Sequence, residues 1–264
     1  MSLNNFGLLN TLYSIVNNGE QDNDYAVASF ILKNIHRVQE ISINEMVDHS
    51  FTTRSAVRRF CQRIGYDNFS EFKQSVSQII FPSNLTYRNF STISDYRKSR
   101  YHDIQAMLND INTVFTDKQV GELASFIEQY ERVILVCANN SSGDLIRFQQ
   151  ELLFANKIVY VVSDIYTANN SLSTVDEETL IILVSTSGTF ALEANHWIQT
   201  FPAYKILITG NTSKHFNETY QKIYFISQQH IENDYSGIYG KYGMTYLFDL
   251  VAEYYLFQSM QKKG

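Results

Sequence analysis

Four arginines stand within ten residues of this chain, Arg54, Arg58, Arg59 and Arg63, and around them lie Thr53, Ser55 and Gln62. On a helix turning about 100° per residue, Val57, Phe60, Cys61 and Ile64 gather within roughly 100° of one another as an apolar stripe. Ser55, Arg58, Arg59, Gln62 and Arg63 occupy the opposite arc, with Arg54 at its edge near the N-terminal end. A guanidinium pairs bidentately with guanine O6 and N7 or neutralises a phosphate, while serine and glutamine side chains read base edges. Thr53 stands where a helix cap is needed. These seven residues are therefore candidates for contact with double-stranded DNA. A basic helix face can equally be a solvated surface, so the decision rests on the elements around it.

A second chemistry is written into two polar loops. Residues 138–143 read Ala-Asn-Asn-Ser-Ser-Gly and residues 185–189 read Ser-Thr-Ser-Gly-Thr. Each follows a short apolar run and opens a segment of helical spacing. A loop entering a helix N-terminus offers amide donors and a favourable dipole to an anion, and hydroxyls add further donors. Asn139, Asn140, Ser141 and Ser142 in the first loop, and Ser185, Thr186, Ser187, Gly188 and Thr189 in the second, are the candidate ligands of a phosphate or phosphosugar. Either loop alone could be simple helix capping; two on one sheet favour a binding site.

The elements that must position these residues differ between the two halves. Five apolar runs, 133–138, 158–162, 180–185, 206–209 and 223–227, are too short for helices and read as buried strands. Segments of helical spacing, such as 145–155 and 191–200, separate most of them, and a long helical stretch covers 241–261. Gly237, Gly240 and Gly243, three apart, suit close packing where that final helix starts. Alternation of strands and helices predicts a five-stranded parallel sheet flanked by helices on both faces. The first 80 residues carry no such strands. Helices are expected over 6–16 and 24–35, from Ser42 onward, over 53–64 and from Asn68 onward, with Pro82 beyond the last. Ser42-Ile43-Asn44-Glu45 and Asn68-Phe69-Ser70-Glu71 have the form of capping boxes, and Gly65 suits a helix end. The predicted organisation is an all-α helix-turn-helix domain at 1–81, a polar linker at 82–100 and an α/β domain at 101–264.

Bulk properties fit this division. The net charge of −6 is unevenly spread: residues 1–100 hold 11 Lys/Arg and 9 Asp/Glu, leaving 10 and 18 for residues 101–264. A mildly basic half joined to an acidic half suggests two tasks. Apolar runs of about six residues fall far short of the roughly 20 that span a bilayer. No secretory leader is evident, and two cysteines 76 positions apart suggest a reduced compartment, so a cytoplasmic location is expected. The six histidines form no H-E-x-x-H pattern and there is no C-x-x-C pair, so neither metal nor cofactor is expected.

The stretch from Ile41 to Val76 resembles the helix-turn-helix domain of the RpiR/MurR family of regulators. The resemblance lies in Thr53 at a usual serine, Arg59-Phe60, Ile64-Gly65-Tyr66 and Phe69-Ser70-Glu71-Phe72-Lys73. Ala56 stands where that family often has threonine. The second half, about 118–256, resembles a SIS (sugar isomerase) domain, most clearly in LIILVSTSG at 180–188. This resemblance implies that Ser142, Ser185, Ser187 and Thr209 lie around a phosphosugar pocket, with Ser213 and Asp249 at further matching positions. Ala138 and Asn140 replace glycines of the SIS pattern, and Phe190 replaces a threonine.

Together the two resemblances imply a transcription regulator of carbohydrate metabolism, a homodimer or homotetramer that reads an operator and responds to a phosphosugar. An isomerase or lyase is the alternative, with Glu193, His196 or Glu253 as the base. No catalytic residue is assigned, because no partner fixes any of the three in place. A further alternative is a DNA-binding protein whose effector pocket has degenerated.

Overall fold

The computed structural model describes residues 8–18, 20–76, 91–138, 142–163, 172, 174–231 and 237–261, excluding the side chains of Asn10, Ser75 and Ser142. The chain divides into two compact units, residues 1–81 and 82–264.

The first unit is helical: α1 (Leu8–Asn17), α2 (Asn23–Lys33), α3 (Ile43–Ser50), α4 (Arg54–Arg63) and α5 (Phe69–Val76). Side-chain caps set four of the starts. Asp22 Oδ1 accepts from the Tyr25 amide at 2.9 Å, Ser42 Oγ from Glu45 at 3.1 Å, Thr53 Oγ1 from Ala56 at 3.2 Å and Asn68 Oδ1 from Glu71 at 3.0 Å. The box expected at Ser42 is only half formed. Glu45 does not reach back; its carboxylate takes the Arg37 guanidinium at 2.7 Å, since a charge-assisted partner outcompetes a neutral amide. The Glu71 carboxylate accepts from the Asp67 amide at 2.6 Å, one residue ahead of Asn68. Gly65, at φ +92°, ends α4 in a left-handed turn that glycine takes without penalty. Leu12, Val27, Ile31, Met46, Val57, Phe60, Cys61 and Phe72 meet in one core. Phe6, Ile79, Ile80 and Pro82 lie outside the described residues.

The second unit opens with two helices that the sequence pattern does not announce, α6 (Ile93–Val114) and α7 (Asp117–Gln129). Residues 93–100, expected as the end of a linker, are instead the first two turns of α6. Thr92 caps them through the Asp95 amide at 3.2 Å. Their side chains are mostly exposed, so no apolar period marks them; burial begins at Met107 and Ile111. There follow β1 (Arg132–Cys137), α8 (Ser142–Leu153), β2 (Val159–Val162), β3 (Thr179–Ser185), α9 (Thr189–Ile198), β4 (Tyr204–Thr209) and β5 (Lys222–Phe225). A π-turn over Tyr239–Gly243 leads into α10 (Met244–Gln261).

The five strands are parallel, in the order β2-β1-β3-β4-β5. All seven residues of β3, the central strand, are buried, as a strand covered on both faces must be. Leu135, Cys137, Ile182 and Ile208 share a core with Ile111, Leu123, Phe148 and Val251 of the helices on one face. Phe190, Ala191, Ala194 and Ile198 of α9 are buried outside that cluster, on the other face. Right-handed crossovers running outward in both directions from β1 and β3 place α8 and α9 on opposite sides.

Candidate functional site

All seven DNA-contact candidates, Thr53, Arg54, Ser55, Arg58, Arg59, Gln62 and Arg63, are exposed on α4, while Ala56, Val57, Phe60 and Cys61 are buried beneath them. The apolar stripe therefore faces the core and the arginines face outward, with Ala56 joining the stripe and Ile64 only half-buried at its end.

The arginines are not equivalent. Arg54 Nη2 donates to Asn44 Oδ1 of α3 at 2.5 Å, and Arg63 pairs with Asp24 of α2. Arg58 and Arg59 form no hydrogen bond or ion pair among the described residues. A shallow groove of about 370 Å³ runs along the N-terminal half of α4, lined by Ile43, Arg54, Arg58, Asn68, Phe69, Ser70 and Lys73. The Lys73 ammonium is engaged there by the Ile41 carbonyl at 3.0 Å, which ties α5 to the turn ahead of α3. The arrangement offers, at the centre of an exposed helix, two guanidiniums with no hydrogen bond or ion pair among the described residues, flanked by two that also brace it.

In the second unit the strand order reverses between β1 and β3. Both polar loops leave the carboxyl ends of these two strands, where ligands bind in open α/β sheets. Asn139, Asn140 and Ser141 lie outside the described residues; Ser142 begins α8, with its side chain undescribed.

The second loop is fully defined. Ser185 Oγ, buried, accepts from the Ala191 amide at 3.2 Å, and Ser187 Oγ accepts from the Thr189 amide at 3.4 Å. Ser187 in turn donates to Thr189 Oγ1 at 3.1 Å. A hydroxyl that accepts an amide keeps its own hydrogen to donate, so the Ser187–Thr189 pair ends in a Thr189 hydroxyl able to donate outward. Thr186, Ser187 and Thr189 are half-buried and reachable, whereas Thr209 is fully buried. Its hydroxyl donates to the Ser185 carbonyl at 2.7 Å and accepts from the Asn211 amide at 3.1 Å. Thr209 thus locks the carboxyl ends of β3 and β4 together and positions the loop.

Two residues that the sequence pattern did not single out as ligands complete this edge. Asn211 Nδ2 donates to the Ser187 carbonyl at 3.1 Å, and its Oδ1 accepts from the Ser213 amide at 2.9 Å. Its position two residues past the end of β4 is the signal that could have found it. Gly240, in the π-turn ahead of α10, comes so near that a Cβ there would stand 3.6 Å from Thr186 Oγ1. Close packing is the role expected for this glycine trio. Gly243 fits it, since a Cβ there would meet Ile111 Cδ1 at 2.9 Å. The Tyr239 hydroxyl, donating to Asp110 Oδ2 at 2.6 Å, holds the same turn against α6.

His196 Nδ1 lies 2.7 Å from the Glu193 backbone oxygen rather than its carboxylate. Asp249 pairs with Arg147 at 3.3 Å. Burial pushes the thiols of Cys61 and Cys137 up to about 12, so neither is a thiolate at neutral pH. Among the described residues no group of three His, Cys, Asp or Glu side chains could hold a metal, and no helix is long and apolar enough to cross a membrane. A groove of about 550 Å³ opens along the edge strand β5, but its lysine, Lys222, is already held by Glu122 at 2.7 Å.

Residues 8–82 match the sequence profile of the rpiR-family helix-turn-helix domain. The chain is 22% identical over 182 residues to the HTH-type transcriptional regulator GlvR of Bacillus subtilis. That match takes in 69% of this chain and 66% of GlvR, just under two thirds of the relative's length. The solved structure of NanR from Vibrio vulnificus, complexed with ManNAc-6P, aligns with a TM-score of 0.52 at 17% identity and covers 96% of each chain. The sugar isomerase domain of an RpiR transcription factor from Sphaerobacter thermophilus aligns with a TM-score of 0.46 at 10% identity, over 64% of this chain and 96% of that one. Residues 8–82 thus match the helix-turn-helix domain of the rpiR family, a five-stranded parallel α/β unit follows them, and the fold as a whole is similar to that of NanR.

Proposed function

We propose that this protein is a cytoplasmic transcription regulator of carbohydrate-metabolism genes, which reads operator DNA through α4 and responds to a phosphosugar held at the carboxyl ends of β1 and β3. The observation that carries this reading is the exposed set Thr53, Arg54, Ser55, Arg58, Arg59, Gln62 and Arg63 on the second helix of an RpiR-family helix-turn-helix. A helix so placed enters the major groove with its N-terminal residues at the base edges. NanR was solved with a sugar phosphate, ManNAc-6P, which supports a ligand of that class for the second unit. Its anion is received by the reachable hydroxyls of Thr186, Ser187 and Thr189, with the amides around Gly188 and the loop from Asn139 to Ser142. Thr209 and Ser185 shape the site from behind. The effector acts by binding DNA-competent and DNA-incompetent arrangements with different affinity; a coupling of about 1–3 kcal/mol changes operator affinity 5- to 150-fold. No catalytic step is assigned.

Thermal unfolding against a panel of phosphosugars tests the ligand class. A compound present at 100 times its Kd raises stability by about 2.7 kcal/mol. Ser187→Ala is expected to reduce that shift and the effector's influence on DNA binding, while operator affinity without effector stays the same. A full response in the variant removes Ser187 from the site, and no shift with any phosphosugar removes the site itself.

A pseudo-palindromic operator calls for two copies. α8 and α10 run side by side, tied by Thr245 to Asp144 at 2.6 Å and by Arg147 to Asp249 at 3.3 Å. Their outward faces carry Ile146, Leu153, Phe257 and Met260, and Phe154 follows α8 directly, all of them exposed. Monomers rarely leave so many large apolar side chains in water, and the proposed homodimer, or dimer of dimers, covers them. Leu153→Glu with Phe154→Glu is expected to give monomers in sedimentation velocity, with operator binding weakened at least tenfold. A dimer that persists in this variant places the interface elsewhere.

A further inference from the structure

Phe51 ends α3 in a conformation that suits glycine, with φ 52° and ψ 38°. A side chain bearing a Cβ is penalised in this left-handed region, where only glycine, and to a lesser degree asparagine and aspartate, are at ease. The other non-glycine residue with positive φ among those described is Asn156, a tolerated type. Phenylalanine has no polar group with which to compensate.

The turn itself is well held. Both Phe51 and Thr52 donate their amides to the Val47 carbonyl. Ser50 Oγ donates to the Met46 carbonyl at 2.6 Å and meets Thr52 Oγ1 at 2.8 Å. The backbone is therefore fixed while the ring stands 92% exposed, more than any other large apolar side chain among the described residues. The fold gains neither backbone ease nor burial from this residue. A strained, fixed backbone that presents an unburied aromatic marks a contact made outside the unit.

The position of the ring indicates the partner. Phe51 precedes the α4 cap, Thr53, by two residues, and Thr53, Arg54 and Ser55 are exposed as it is. We infer that the Phe51 ring is a DNA contact, packing on the apolar surface of the duplex beside the bases that α4 reads. The surfaces available there are thymine 5-methyl groups and deoxyribose carbons. This inference rests on the DNA-reading role proposed above and adds an apolar contact to its charged ones. The pinned turn presents the ring in its binding position, so little ordering is left to be done on association.

The probe is a duplex recovered by in vitro selection from a randomised pool on the full-length wild-type chain. Phe51→Asn is expected to raise the melting temperature by several degrees, because asparagine accepts the left-handed turn. The same variant is expected to bind the duplex about tenfold more weakly. Its dependence of log K on log salt should stay parallel to that of the wild type, because the ring neutralises no phosphate. Phe51→Tyr, which keeps the ring, should bind within about twofold of the wild type. Substituting deoxyuridine for thymine weakens wild-type binding if methyl groups are the surface touched; undiminished binding assigns deoxyribose. Unchanged affinity in Phe51→Asn overturns the inference, as does reduced affinity that tracks a change from dimer to monomer, since the ring would then face a protein. Failure of the wild-type chain to select any duplex brings down the DNA-reading role, and the proposed ring contact with it.

Discussion

Arg58→Ala combined with Arg59→Ala is expected to abolish specific operator binding while leaving the first unit folded. Both guanidiniums are exposed and neither is engaged by a side chain or carbonyl among the described residues, so their removal breaks no internal bond and leaves Val57 and Phe60 buried as before. A bidentate pair with a base is worth about 1–3 kcal/mol, so removing two lowers affinity by about 30-fold to about 20,000-fold. If either arginine touches phosphate instead, the slope of log K against log salt falls by about 0.9 for each phosphate no longer neutralised. Arg63→Ala makes the contrast. Its guanidinium already pairs with Asp24, so its removal costs a surface ion pair of about 0.2–1 kcal/mol in stability and a smaller share of affinity. Electrophoretic mobility shift across a salt series measures both quantities. Unchanged affinity together with an unchanged slope in the double variant would remove α4 from the interface.

The division between those arginines could not be read from sequence. The helical period put all four on one arc, because period depends only on position around a single helix. Which of them is free depends on what α2 and α3 bring alongside, Asp24 and Asn44, and that is tertiary placement. The same limit explains the second unit. The central strands were legible because a strand buried on both faces is a continuous apolar run, as Thr179–Ser185 shows. The N-terminal half of α6 was not, since its first two turns are largely solvated and carry no apolar period; only its cap at Thr92 marks it. The polar loop at 185–189 was visible as composition, but the roles within it were not. Thr209 reads like a ligand hydroxyl in one dimension, yet its hydroxyl is used on both sides to bind β3 to β4. Asn211, silent in the sequence, holds the loop from across the sheet edge. Phe51 was hidden for the opposite reason: its backbone angles, and not its neighbours in sequence, set it apart.

Gly188→Ala tests whether that loop is as tightly specified as its hydrogen bonds indicate. Gly188 lies at φ +79°, and a Cβ there would fall 2.5 Å from Asn211 Cβ and 2.6 Å from its Nδ2. Two costs add. The left-handed conformation penalises a residue with a Cβ by about 1–2 kcal/mol. The Asn211 side chain must also move, giving up the Ser187 carbonyl at 3.1 Å and the Ser213 amide at 2.9 Å, which leaves polar groups of a largely buried site unsatisfied at about 1–3 kcal/mol. The expected destabilisation is about 2–5 kcal/mol, a large fraction of the stability of an ordinary domain.

Gly143→Ala is the matched control, because a Cβ at Gly143 meets nothing within 4 Å and the position lies inside α8. Alanine there should stabilise by about 0.5–1 kcal/mol through helix propensity. Urea unfolding of the two variants should therefore move the midpoint in opposite directions. At a temperature where Gly188→Ala remains folded, displacement of its Ser187 and Thr189 hydroxyls should also abolish the phosphosugar-induced shift, whereas Gly143→Ala keeps it. A Gly188→Ala protein as stable as the wild type would mean that Asn211 yields freely. The carboxyl edge of β3 would then be a pliable surface, unable to hold an anion by preformed donors.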